Sequence, residues 1–387
     1  MKFTVDRNAF WKGIDTILDA VSSKPAQPVL SNLLISAEGE VLSLCATDLD
    51  LSMRTRVSAS ISQSGRVAVP AKTLADITRE WPETELSVSV EEGRLILAGQ
   101  LGSGKGGEGR YVLAVTPADE FPIMPESIEG VSVDLAGSSE FDGQLLRSMI
   151  DRTSFAVSRD ETRPVLTGVL WRIDPEFMAM VATDGSRLAE SRQQFSGDQG
   201  VVDGEAAEVI LPPQICSQLA KLLSTGNLNQ AVVGDSQVLF DIGDTQLLSR
   251  LIEGPYVDYE QVIPKENDKR LSIDVERLLP AVRRVSILSS SYTHQIRLKL
   301  TEDAVELTAS SQELGGDARE VLPAGYTGEE IEVAYNAQYL LEILRKLDAG
   351  DVTFDLRDSV TAAVVQPGEG ERGSELYYLL MPMRPSN

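Results

Sequence analysis

The sequence is poor in the residues from which many catalytic and metal sites are built. It contains two cysteines and one histidine in 387 residues. Cys45 and Cys216 lie far apart in separate apolar segments, which favours reduced, buried thiols in a cytosolic protein over a disulfide or a metal site. His294 falls in a predicted strand, where packing is a simpler role than catalysis. We therefore expect no metal and no histidine-based chemistry.

Long hydrophobic runs are also missing. No apolar stretch approaches the roughly 20 residues that a membrane-spanning helix needs. The first 18 residues include Asp6 and Asp15 and have no cleavage-site pattern, so they do not resemble a signal peptide. We expect a cytoplasmic protein without a membrane partner.

Positive charge is scarce. The chain has 35 Lys and Arg against 59 Asp and Glu, a net charge of −24. Taken over the whole chain, this argues against binding to nucleic acid, which favours basic surfaces. The hydrophobic content of 42% and the charged content of 24% are ordinary for a folded protein. The length predicts two to four domains.

An internal repeat is the most informative feature that is present. The stretch VATDGSRLA, residues 181–189, resembles CATDLDL, residues 45–51, so that Asp184 and Asp48 lie 136 residues apart. Glycine directly after aspartate predicts a tight turn between two strands. The same offset relates PVLTGVL, residues 164–170, to PVLSNLL, residues 28–34, and Asp142 to Asp6. A weaker third copy begins at Asp274.

The repeat predicts an α+β protein of three similar domains, each with two helices packed on antiparallel strands. Hydrophobic positions with a period of 3.6 residues predict helices at 6–20, 71–80, 141–153, 213–223, 274–286 and 336–347. Alternating patterns predict strands at 85–90 and 352–356. Segments rich in proline and charge, at 122–130 and 264–269, indicate linkers. The predicted domains are 1–128, 129–266 and 267–387.

The charge is unevenly distributed over these elements. The six helical spans together carry a net charge of +2, so the rest of the chain carries −26. This favours helices that are kept apart from an acidic surface. The alternative, that the helices simply have mixed-charge surfaces, stays open.

Nine motifs in order resemble the β subunits of bacterial DNA polymerase III, the sliding clamps. They are PVLSNLL, ATDLDL, VPAKTLADI, TPADEFP, ATDGSRLA, DYEQVIP, ILSS, YNAQYLLEIL and the final MPMR. The resemblance implies the DNA-clamp fold and a ring of two head-to-tail chains that encircles duplex DNA. It implies a processivity factor rather than an enzyme, with no cofactor. The implied partners are the polymerase III alpha subunit, the clamp loader, other polymerases and mismatch-repair proteins, which bind through short peptides.

The resemblance and the charge pattern together predict basic residues that contact DNA. Lys24 and Lys72 stand at positions where the family has such contacts. Charge placement adds Lys12, Arg147, Arg159, Arg283 and Arg284. Each could instead be an ordinary solvated surface cation.

The resemblance also implies a peptide-docking groove and a subunit interface. The matching groove residues are Leu166, Thr183, Gly185, Arg187, Leu188, Val257, Val262, Asn336, Tyr339, Val360, Ala362, Leu379, Met381, Pro382, Met383 and Arg384. The chain departs from the family at Ser186, where histidine is frequent, at Val257, where proline is frequent, and in an extension, Pro385–Asn387. At the interface we expect Arg110, Tyr111 and Leu113 of one chain against Ile287, Leu288, Glu313, Asp317 and Glu320 of the other. Burial of the apolar residues in an ordinary core is the alternative.

Two other classes of function stay open from the residues alone. Asp48, Asp50 and Asp184 could be metal ligands of a nuclease, although their turn positions suit Asx turns better. The glycine-rich stretch 102–109 lacks the spacing of a phosphate-binding loop and is more consistent with a hairpin insertion. A scaffold that binds proteins but not DNA is the other alternative.

Overall fold

The computed structural model describes residues 1–22, 24–82, 84–101, 107–134, 143–195, 206–368 and 374–384. Asp142, residues 102–106 of the glycine-rich stretch and Pro385–Asn387 lie outside them. The chain forms two compact units, Met1–Gln144 with Ser217–Leu251, and Leu145–Cys216 with Ile252–Asn387. The domain boundaries at 128/129 and 266/267 stay a prediction.

Six α-helices lie within the described residues, at the predicted positions. They are α1 (Arg7–Ile17), α2 (Ala71–Glu80), α3 (Gly143–Thr153), α4 (Pro213–Leu222), α5 (Val275–Val285) and α6 (Ala337–Leu344). The recurring aspartates are explained by capping, because Asp6 accepts a hydrogen bond from the Ala9 amide and Asp274 accepts one from the Arg277 amide. No helix in the described ranges has the length and hydrophobicity needed to cross a membrane.

The strands of the described residues follow one another in the repeated order that the sequence predicts. They are β1 (Lys2–Asp6), β2 (Asn32–Glu38), β3 (Val41–Thr47), β4 (Leu51–Ser58), β5 (Ser60–Gln63), β6 (Gly65–Pro70), β7 (Glu85–Glu91), β8 (Arg94–Gln100), β9 (Glu108–Ala114), β10 (Thr116–Pro117), β11 (Val131–Asp134), β12 (Val169–Ile173), β13 (Phe177–Thr183), β14 (Arg187–Gln194), β15 (Ala207–Leu211), β16 (Leu228–Val233), β17 (Gln237–Ile242), β18 (Thr245–Arg250), β19 (Lys269–Asp274), β20 (Gln295–Thr301), β21 (Ala304–Ser311), β22 (Gly316–Pro323), β23 (Gly325–Thr327), β24 (Ile331–Asn336), β25 (Asp351–Leu356), β26 (Ala363–Pro367) and β27 (Ser374–Leu380).

Each unit contains two antiparallel sheets. The first unit has a five-stranded sheet, in the order β5-β1-β7-β8-β9, and a nine-stranded sheet, in the order β10-β6-β2-β3-β4-β18-β17-β16-β11. The second unit has a nine-stranded sheet, β15-β12-β13-β14-β27-β26-β25-β19-β23, and a four-stranded sheet, β22-β21-β20-β24. In each long sheet, strands of one sequence repeat pair with strands of the next, β4 with β18 and β14 with β27.

The amphipathic helices bury their apolar faces, as Phe10, Ile14 and Ile17 of α1 show. Both cysteines are free and buried, as predicted. Burial raises the pKa of the Cys45 thiol to about 11 and that of Cys216 to about 12, so both stay protonated near neutral pH.

The predicted strand position of His294 is wrong by one residue. The residue lies directly before β20 in a left-handed backbone conformation, with φ of 50°, and does not belong to a strand. Its amide donates to the Ser290 carbonyl, and its carbonyl accepts from the amide of Ala337, the first residue of α6. These two bonds hold the chain in a bend before the strand begins.

Candidate functional site

The turn at Thr183–Arg187 is held by its own side chains. The Asp184 carboxylate accepts hydrogen bonds from the amides of Ser186, at 2.8 Å, and Arg187, at 3.1 Å. The Thr183 hydroxyl donates to the Arg187 carbonyl at 2.6 Å and accepts from the Gly185 amide. Gly185 has a φ of 90°, a conformation that glycine adopts without strain. The predicted turn is therefore confirmed in detail.

The first repeat builds the same turn at Thr47–Leu51. Asp48 accepts from the amides of Asp50 and Leu51, and the Thr47 hydroxyl donates to the Leu51 carbonyl. Leu49 stands where Gly185 stands and has a φ of 85°. Asp48 and Asp184 thus bind their own backbone, as Asx turns do. Among the described residues, no group of three His, Cys, Asp or Glu side chains is placed to hold a metal ion.

The second turn lies at the end of an apolar surface of the long sheet. Leu188 and Leu379 face each other on β14 and β27, and Val364 on β26 is paired with Leu379. These three residues belong to one buried cluster with Leu170 and Tyr259. Tyr259 begins a 3-10 turn, Tyr259–Val262, in the connection that leads to β19. The long sheet and the connection to β19 therefore both contribute apolar residues to this cluster.

Apolar side chains around this cluster remain accessible. The exposed fractions are 42% for Val257, 59% for Val262, 65% for Val360 and 44% for Met381. The chain after β27 is fixed by backbone bonds, because the Met381 amide donates to the Ser186 carbonyl and the Met383 amide donates to the Ala334 carbonyl. Exposed apolar groups on a fixed backbone suit the docking of an apolar peptide.

The other predicted groove residues are divided between buried and accessible positions. Buried are Leu166, Thr183, Arg187, Leu188, Ala362 and Leu379; half-buried are Asn336, Tyr339, Pro382 and Met383; exposed are Gly185 and Arg384. Asn336 caps α6 by accepting from the Gln338 amide. The Arg384 carbonyl accepts from the Gln295 side chain.

Unlike the accessible residues of the predicted groove, Arg187 is buried and bound by side chains of its own chain. Its side chain is 7% exposed and forms ion pairs with Asp184, at 3.2 Å, and with Glu342. It also donates to the Phe155 carbonyl at 2.9 Å. Sequence reasoning missed Glu342 and Phe155, since nothing local marks contacts with residues 155 and 32 positions away.

The predicted DNA-contacting residues fall into two groups. Within the described residues, Lys12, Lys24, Lys72, Arg159 and Arg283 are exposed and have no acidic group within salt-bridge distance. Two others are paired: Arg147 lies 3.9 Å from Asp151, and Arg284 forms two bonds to Glu320, at 2.8 and 2.7 Å. The first group is thus freer to meet phosphates than the second.

The predicted interface residues of the first unit lie on β9, which is an edge strand of the five-stranded sheet. Arg110 and Tyr111 are exposed, and Leu113 is half-buried. The Tyr111 ring packs edge-on against Trp81 with centroids 5.3 Å apart. Leu101 and Val112, which the sequence did not single out, are also accessible at 41% and 38%.

The predicted interface residues of the second unit lie on or near β22, an edge strand of the four-stranded sheet. Ile287 is 70% exposed, and Leu288 is half-buried. Asp317 and Glu320 are on β22, and Glu313 accepts from the Ser291 hydroxyl at 2.8 Å. Tyr292, Leu314 and Val321 are further exposed apolar residues here that the sequence analysis missed. Unpaired edges with apolar side chains indicate an interface.

Three copies of one helix-and-sheet pattern, joined by continuous antiparallel sheets and ending in unpaired edges, define a protein of the sliding-clamp class. Family models for the DNA polymerase III beta subunit match its N-terminal domain at residues 1–125, its central domain at 140–258 and its C-terminal domain at 260–384. The chain belongs to the family of DNA polymerase III beta subunits, the bacterial sliding clamps. Members of this family are non-catalytic processivity factors.

Individual relatives match over almost the whole chain. The beta sliding clamp of Pseudomonas aeruginosa is 32% identical over 387 residues, with 99% of this chain and 100% of the relative covered. That of Escherichia coli K12 is 30% identical at the same coverage. A crystal structure of the Pseudomonas aeruginosa clamp with ligand has a TM-score of 0.89 and 32% identity, and covers 100% of both chains. A Bartonella birtlesii clamp bound to griselimycin has the same TM-score, identity and coverage. The predicted fold, non-enzymatic function and partner classes are therefore confirmed.

Proposed function

We propose that this chain carries out its clamp function through three surfaces: basic residues of the helices and adjoining loops, a peptide groove in the second unit, and a pair of edge strands. The family match over the whole chain is the observation that carries this proposal. We also propose the domain limits 1–128, 129–266 and 267–387. A cytoplasmic location is supported by two buried, free thiols, which suit a reducing compartment.

We assign the contact with duplex DNA to Lys12, Lys24, Lys72, Arg147, Arg159, Arg283 and Arg284. The five exposed cations without an acidic partner in the described ranges support the assignment most strongly. Contacts to phosphate oxygens need no base sequence, so the ring can move along the duplex. The acidic remainder of the chain, within a net charge of −24, repels DNA elsewhere.

We assign ring closure to β9 of one chain and β22 of its partner. Within the chain, β4 pairs with β18 and β14 pairs with β27, so the fourth strand of one repeat is joined to the third strand after the second helix of the next repeat. Strands β22 and β9 are the corresponding strands that are left over, and both are sheet edges. Pairing them between chains makes a head-to-tail contact that closes into a ring. Since Glu320 is bound by Arg284 and Glu313 by Ser291, Asp317 is the best remaining partner for Arg110.

We assign partner docking to the groove around Leu188, Leu379 and Met381. The exposed valines and Met381 offer an apolar surface, and methionine adapts its shape to different peptides. Ser186 and Val257, which differ from frequent family residues, lie on this surface and would adjust the affinity for each partner. The polymerase III alpha subunit and the clamp loader are the expected users.

Substitution of the groove tests this assignment. We expect Met381→Ala and Arg384→Ala to weaken the binding of a fluorescent peptide from the polymerase III alpha subunit by about tenfold, the size of a modest interface contact. Fluorescence anisotropy measures the affinity, and light scattering measures the mass. Arg66→Ala, at an exposed arginine of β6 that bonds Ser36, is the matched control. Loss of the dimer in the groove variants, or unchanged peptide affinity, would show that the groove is wrongly assigned.

A further inference from the structure

The Arg187 side chain is surrounded by groups of its own chain. It lies at the first position of β14 and is 7% exposed. Its guanidinium bonds Asp184, the Phe155 carbonyl and Glu342. A guanidinium has five N–H donors in a fixed planar arrangement, so three fixed partners determine its position fully. Arg187 therefore has little left to offer an incoming peptide.

The same guanidinium lies over two aromatic rings. The distances from its central carbon to the ring centroids are 5.1 Å for Phe155 and 4.4 Å for Tyr339. Both are within the range of a cation–π interaction. Tyr339 is one of the predicted groove residues, and Arg187 closes the Thr183–Arg187 turn. A displacement of Arg187 would thus disturb both the ring and the turn.

Glu342 is the partner that joins separate elements at this point. It lies on α6, one helical turn after Tyr339, and its side chain is 38% exposed. Asp184 belongs to the same turn as Arg187, whereas Glu342 ties that turn to the helix. Without the Glu342 carboxylate, the guanidinium keeps its ion pair with Asp184 and its bond to the Phe155 carbonyl, but it is no longer tied to α6.

We propose that Glu342 is a positioning residue for partner docking, one that acts on the peptide only through Arg187. Its carboxylate fixes the guanidinium, and the guanidinium fixes the Tyr339 ring and the Thr183–Arg187 turn in the form that binds a peptide. A groove that must first order these groups binds more weakly, because the competent form is only a fraction of the population. The inference rests on the proposed function of the groove.

The test is Glu342→Gln in the full-length chain, with a fluorescent peptide of the polymerase III alpha subunit as the probe. We expect the dissociation constant to rise about tenfold, with the dimer mass and the thermal unfolding midpoint within error of the parent. Because Glu342 acts through Arg187, the double variant with Arg187→Gln should bind no more weakly than Arg187→Gln alone. Glu330→Gln is the control, since Glu330, directly before β24, forms an exposed ion pair, 2.6 Å from Lys299 of β20, away from the groove.

The outcomes separate this inference from the groove assignment. If the parent binds the peptide, Met381→Ala weakens binding and Glu342→Gln does not, the groove stands and the positioning role is wrong. Tighter binding by Glu342→Gln would show that a released Arg187 contacts the peptide directly, which also contradicts the proposal. A lower unfolding midpoint with unchanged affinity would make the contact purely structural. If the parent itself does not bind the peptide, both proposals fail.

Discussion

At the scale of single residues, the environment of a charged group decides whether it serves binding or the fold. Arg187 and Arg384 are both predicted groove residues, yet Arg187 is 7% exposed and Arg384 is exposed. Glu190 shows the same effect for a carboxylate. It is 3% exposed on β14, accepts a hydrogen bond from the Tyr377 hydroxyl and faces Arg192, Arg172 and Glu260. Burial dominates over the two arginines and raises the pKa of the Glu190 carboxyl.

The raised pKa of Glu190 predicts a pH dependence of stability. Between the unfolded pKa, about 4.3, and the higher folded value, the folded state holds a proton that the unfolded state has released. This contribution to stability is present at low pH and is lost as the pH rises through the folded pKa. Glu190→Gln keeps an oxygen that accepts from Tyr377 but cannot ionise. We expect its urea unfolding midpoint, relative to the parent, to be higher at pH 8 than at pH 5.

The exposed Glu375, on the neighbouring strand β27, provides the control. Glu375→Gln should show no such change with pH relative to the parent. A difference between Glu190→Gln and the parent that is the same at both pH values would contradict the assignment of the shift to Glu190.

At the scale of elements, the repeat preserves the turn geometry while the residues change. The turns Thr47–Leu51 and Thr183–Arg187 share their side-chain hydrogen bonds, although leucine replaces glycine at φ of 85° against 90°. A left-handed conformation costs about 1–2 kcal/mol for a residue with a Cβ. Exchanging glycine for a residue with a Cβ at one position, and the reverse at the other, therefore measures the cost of the same backbone conformation twice.

We expect Gly185→Ala to lower the free energy of unfolding by about 1 kcal/mol. An added Cβ would meet only Arg163 Nη1 at 3.5 Å, an ordinary contact, so the cost comes from the backbone conformation. Leu49→Gly should leave the unfolding midpoint at or above that of the parent, because the strain is relieved and Leu49 is already 42% exposed. Calorimetry of both variants measures this. A stabilising Gly185→Ala would contradict the role given to the turn.

Features that depend on neighbouring residues could be predicted from the sequence, and features that depend on the tertiary fold could not. Helices α2 and α5 were predicted almost to the residue, because a period of 3.6 and a capping residue such as Asp274 are local signals. The pairing of Arg284 with Glu320 and of Arg187 with Glu342 could not be predicted, because each joins elements that only the tertiary fold brings together. The bend at His294 could not be predicted either, because its two backbone bonds, to Ser290 and Ala337, depend on the fold.

At the scale of the whole molecule, β9 and β22 are sheet edges with exposed apolar residues on or near them, and the family closes into rings. We expect Ile287→Asp to shift the protein from twice its 42.0 kDa chain mass toward the monomer. The reason is that a buried, unpaired carboxylate at an interface is costly. Ile123→Asp is the matched control, because Ile123 is 87% exposed and lies on neither edge strand. Equal masses for both variants in light scattering would show that the edges are wrongly assigned.

The central claim is that the closed ring stays on DNA because it encircles the duplex, and not because it binds the duplex tightly. The most direct measurement follows the fluorescently labelled protein after the clamp loader has placed it on a nicked circular duplex. Phosphate contacts are weakened by about 0.5 M salt, where charges are screened beyond about 4–5 Å. We predict that the protein stays on the circle in this salt and leaves within minutes once the DNA is cut to a linear form. Release from the intact circle as fast as from the linear duplex would contradict the claim.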